Sequence, residues 1–177
     1  LIIFSFAITA IDPGGTLGND SGGTGEQVGE FHESIGREHI PSDQNFTGYN
    51  TNPPTSGPHW DVMGNPRVPV DCGFYDQQLR NERTVHNLEH GHIVISYNIS
   101  DETKREALFD AIRDLPGWSR YIVVQPYAQI PQGQIAMTGW EYLQTFDEVD
   151  PEGMKEFYDA RRGHGPEGTP GLGIPCL

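Results

Sequence analysis

Apolar and polar positions recur along this chain with two different periods, and the period divides it into elements. Ala107, Leu108, Ala111, Ile112 and Leu115 fall at helical spacing. Ser100 stands before them as an N-cap, with Thr103 in place of the Glu of a reciprocal capping box, and Pro116-Gly117 ends the run. A second amphipathic helix is predicted over residues 151–161. Short β-branched runs at 92–97, 120–125 and 134–140 read as strands, the last two separated by a Pro/Gln/Gly turn. The order strand, helix, strand, strand, helix predicts an α+β fold. It should hold a small, largely antiparallel sheet with two packed helices in a loop-rich frame.

The two ends of the chain break this pattern. Residues 1–11, LIIFSFAITAI, are almost wholly apolar, too short to span a bilayer, and without the basic flank of a signal peptide. They read as a strand, followed over 12–30 by a Gly-rich linker. Such a strand needs cover, either on its own domain or on the open sheet edge of a neighbouring subunit as a donor strand. The expected organisation is thus a strand over 1–11, a linker over 12–30 and a single globular domain over 31–177. The last residues, RRGHGPEGTPGLGIPCL, are Gly/Pro-rich and should lie over the surface, held by Cys176.

Composition narrows the partners. The 25 acidic and 11 basic residues give a formal net charge of −14, and no Lys/Arg run occurs, so nucleic acid and anionic membrane surfaces are poor partners; no nucleic-acid partner and no transmembrane span are expected. With 22 Gly and 14 Pro, turns and loops must carry much of the surface. Cys72 and Cys176 are the only cysteines, outside any CxxC pattern, and are expected to pair and pin the C-terminus to the body. Asn19, Asn45 and Asn98 each open an Asn-x-Ser/Thr sequon. Together these features point to an extracellular or cell-surface, glycosylated protein.

The candidate chemistry lies in histidines. His86 and His90, in TVHNLEHGHIVISYN, share one face of a helical turn, so both imidazoles can address one metal ion. Gly91 stops that turn and the strand beginning at His92 holds it. Pro53, Pro54, Gly57 and Pro58 fix a second corner that presents His59 beside Trp60. His59, His86 and His90 form the minimal ligand set, His39 is the fourth candidate, and Met137 is a weaker one that would suit copper. Imidazoles without thiolate accept zinc or copper. His86, Glu89 and His90 also match H-x-x-E-H, the inverted zinc-peptidase signature, in which Glu89 would activate water in a metallohydrolase. The context argues against it, since such enzymes use a long buried helix and Gly91 interrupts this one. Glu89 reads better as a partner that orients a histidine.

NPPTSGPHW, VHNLEHGHIVISYN and IAMTGW together resemble a family of secreted or membrane-anchored proteins known as domain of unknown function 3105, over roughly residues 27–165. The resemblance implies a fold and places His59, His86 and His90 on what looks like the family's metal site, but it implies no reaction. Three functions follow for testing. The first is an extracellular zinc- or copper-binding domain. The second is a structural subunit that self-associates through residues 1–11 into a filament or tube. The third is a metallohydrolase.

Overall fold

The computed structural model describes residues 27–61 and 67–176. The expected strand at 1–11, most of the linker and the sequon at Asn19 lie outside the described residues. Twelve elements follow in chain order: β1 (Glu30–Phe31), β2 (His39–Ile40), β3 (His59–Trp60), β4 (Gly73–Phe74), α1 (Asn81–Glu89) and β5 (Ile93–Tyr97). Then come α2 (Glu102–Arg113), α3 (Trp118–Tyr121), β6 (Ile122–Pro126), β7 (Ile135–Gly139), β8 (Tyr142–Phe146) and α4 (Pro151–Arg161).

Six strands form one sheet in the order β1-β8-β7-β5-β6-β4. The pairs β1–β8, β8–β7 and β7–β5 are antiparallel, whereas β6 runs parallel to both β5 and β4. The α+β class and the mostly antiparallel sheet agree with the sequence reading. The parallel pair arises because α2 and α3 carry the chain from β5 back to the start of β6, as a parallel crossover requires. A separate two-stranded parallel ribbon pairs β2 with β3, setting His39 opposite His59 and Ile40 opposite Trp60.

Burial on both faces explains why β5 is an uninterrupted apolar run rather than an alternating one. Ile93, Ile95 and Tyr97 enter a core with Leu108 and Ile112 of α2 and Met154, Phe157 and Tyr158 of α4. Val94 faces the other way, into a cluster with Val85 and Leu88 of α1, Val123 and Trp140. The sheet therefore separates α2 and α4 on one face from α1 on the other. Both long helices are capped by aspartate. Asp150 accepts from the Gly153 backbone N–H with Pro151 at the first helical position, and Asp101, one residue beyond the expected Ser100, accepts from the backbone N–H of Lys104. The described residues hold four helices rather than two, and the additions are α1 and the single turn α3. The expected lone turn around His86 is in fact the last part of a nine-residue helix, α1.

Cys72 and Cys176 are joined by a disulfide, with Cα atoms 5.8 Å apart. Among the described residues no helix is long and apolar enough to cross a membrane.

Candidate metal centre

α1 packs against β3, and the β2–β3 ribbon lies over its C-terminal half, so three histidines from three elements meet. His59 comes from β3, His86 from α1 and His39 from β2. One ligand nitrogen from each lies within 4.8 Å of the others. The rings of His39 and His86 stack with centroids 5.2 Å apart, and His59 meets them edge-on at 4.8 and 5.0 Å.

Two of these rings are oriented by the main chain. The Nδ1–H of His59 donates to the Gly57 carbonyl at 2.8 Å, and the Nδ1–H of His86 donates to the Trp60 carbonyl at 2.6 Å. A carbonyl only accepts, so Nδ1 carries the proton in both rings and Nε2 is the nitrogen turned inward. This is the outer support that metal-ligating histidines have. The positive φ of Gly57 and the proline before His59 bend the chain so that the Gly57 carbonyl folds back onto that ring. The Nε2 of His86 is buried with no hydrogen-bond partner.

Glu89, one turn after His86, brings a carboxylate into the group. Its Oε2 lies 2.8 Å from His59 Nε2 and 3.3 Å from His39 Nε2. Its side chain is only 2 % exposed, as are His59 and His86 to within that margin, whereas His39 is 39 % exposed and forms the open wall. Burial opposes ionisation of Glu89, but the His59 hydrogen bond and the electrostatic pull of the surrounding His59, His39 and His86 rings outweigh it and hold the carboxyl below its usual range. Burial pushes the His86 imidazole down to about 4 against the pull of the Trp60 carbonyl, with His59 and His90 adding to the fall. His86 is therefore neutral at pH 7, the form that binds a metal.

The remaining candidates sit elsewhere. His90 caps the C-terminal end of α1 with its ring centroid 4.9 Å from that of His86, but its Nε2 faces Glu167 at 3.2 Å. Met137 is fully buried in the core beneath α2 and α4, on the sheet face away from α1. His92 is buried in a separate network: its Nδ1 accepts from Asn87 at 2.8 Å and its Nε2–H donates to the Ile174 carbonyl at 2.6 Å. The structure thus groups His39, rather than His90, with His59 and His86. The H-x-x-E-H spacing is present, but its second histidine does not join the first.

The family model described as "Protein of unknown function (DUF3105)" matches residues 39–173, and the chain belongs to that family. The match runs from the first of the three grouped histidines to a point three residues short of Cys176. No curated protein and no solved structure matches the chain.

Proposed function

We propose that this protein is a metal-binding domain holding one zinc or copper(II) ion through His39, His59 and His86, with the Glu89 carboxylate as the fourth donor. The observation that carries the reading is the buried, unpartnered Nε2 of His86, neutral at pH 7 and facing the other two imidazoles. An orphaned buried acceptor costs about 1–3 kcal/mol, and a cation there removes that cost. A bound cation would also sit beside the Glu89 carboxylate, whose charge helps offset its own. Three imidazoles and one carboxylate suit zinc or copper(II) and disfavour calcium. A disulfide-bonded chain with an exposed sequon at Asn45 fits an extracellular setting for this site.

Titration of metal-free protein with Zn²⁺ and Cu²⁺ tests the reading. One ion per chain should bind the wild type, and His59→Ala with His86→Ala should abolish that binding while leaving the far-ultraviolet circular dichroism unchanged. Full metal content in the double variant would sink the assignment.

A further inference from the structure

The Gly/Pro-rich segment after α4 is built as a clamp on the end of the metal helix. The Gly163 N–H donates to the Gly91 carbonyl at 2.8 Å, Glu167 N–H to the Glu89 carbonyl at 3.0 Å, and Ile174 N–H to the His90 carbonyl at 2.9 Å. These three carbonyls sit at the C-terminal end of α1, where the helix has no N–H of its own to offer them. Glu167 also holds the His90 ring. Glycine makes the contact possible: a Cβ on Gly165 would collide with the Glu89 carbonyl oxygen, and one on Gly173 would lie 2.5 Å from that of His90. The far end of the clamp is fixed by two ties, the Cys72–Cys176 disulfide and the Cys176 N–H to the Arg120 carbonyl.

We infer that the Cys72–Cys176 disulfide is a redox switch for the metal site, holding the 163–176 clamp closed on α1 when oxidised and weakening metal binding when reduced. The inference rests on the metal reading above. Both cysteines are partly exposed, and a cavity of about 190 Å³ lined by His90, Val70, Asp71 and Ile174 reaches Cys176. An external dithiol can therefore act. Its thiolate attacks one sulfur, the other sulfur leaves as a thiolate, and the reagent's second thiol closes on the mixed disulfide. Two electrons pass to the protein, which gains two thiols on protonation, and the reagent becomes a cyclic disulfide. Without the covalent tie, the clamp is held only by hydrogen bonds that water can replace. Glu89, whose carbonyl takes one of them, then loses its fixed position beside His39 and His59.

The test compares Zn²⁺ affinity by calorimetry in three samples of the full chain. These are untreated protein, protein reduced with dithiothreitol, alkylated and desalted under native conditions, and Gly165→Ala with the disulfide intact. The reduced sample should bind Zn²⁺ more weakly by roughly 5- to 150-fold, the range for coupled sites. Gly165→Ala should weaken it in the same direction, because it lifts the clamp without touching a cysteine. If untreated protein binds no zinc or copper, the metal reading fails and this inference with it. If untreated protein binds and the reduced, alkylated sample binds equally or more tightly, the switch is refuted while the metal site stands.

Discussion

At the scale of single residues, position in a hydrogen-bond network separates side chains that look alike in the sequence. His86 and His90 are equivalent by spacing, yet one has a main-chain carbonyl on Nδ1 and a bare Nε2, and the other has its Nε2 taken by Glu167. The helical spacing that nominated both was sound. What it could not contain is Glu167, which arrives from 77 residues later in the chain. His39 entered the group through its pairing with His59 in a ribbon of two residues per strand, too short to leave any periodic signal. The two described sequons divide in the same way. Asn45 is exposed and its Oδ1 accepts from Arg80, a bond that does not engage the Nδ2 that carries a glycan. Asn98 is half-buried and its Nδ2 donates to the Ile130 carbonyl at 2.7 Å. Expression in a glycosylating host should therefore give a glycan at Asn45. Mass spectrometry should show its loss in Asn45→Gln and no change in Asn98→Gln; a glycan on Asn98 alone would contradict this.

At the scale of elements, strong periodicity was legible and short strands were not. The helix expected over 151–161 is α4, and the strands expected at 92–97, 120–125 and 134–140 correspond to β5, β6 and β7 with ends shifted by one or two residues. β8 leaves no such signal, because Tyr142–Phe146 is half-exposed and mixed in polarity, and it is a strand through pairing with β7 and β1. The first half of α1 is not legible because Asn-Glu-Arg-Thr carries no apolar stripe; Glu82 and Thr84 are buried as polar groups, and the helix gives the apolar cluster only Val85 and Leu88. Gly91, read as the stop of that turn, has φ of 82° and lets the Gly163 backbone approach so closely that a Cβ would lie 2.8 Å from the Gly163 Cα. Gly91→Ala combines left-handed backbone strain with that collision. It should destabilise the protein by at least about 1–3 kcal/mol, measured as a lower denaturant midpoint at unchanged slope. An unchanged midpoint would mean that the α1–β5 turn does not need glycine.

Across the whole molecule, buried histidines link stability to pH. Burial depresses both His86 and His92 to about 4, from an ordinary value of 6.5. A depressed folded-state value means that the unfolded chain binds these protons first as pH falls. The contribution of each ring is present above pH 6.5 and is lost as pH drops from there toward 4. For nearly dry groups with shifts of this size, the loss amounts to a few kcal/mol, a large share of the stability of a domain. The net charge of −14 works in the other direction, since protonating surface carboxylates relieves repulsion. Those groups are mostly solvated and screened by salt within about 10 Å at 0.1 M, so the buried rings should dominate above the carboxylate range. Metal-free protein at 0.1 M salt should thus lose stability steadily between pH 6.5 and 4.5 in denaturant titrations. Saturating Zn²⁺ should raise the plateau above pH 6.5 and steepen the fall, because protons and metal compete for the same imidazole nitrogens. A profile that stays flat from pH 6.5 to 4.5 without metal would show that the two rings are not held neutral. The acid lability of the site and that of the fold would then have separate origins.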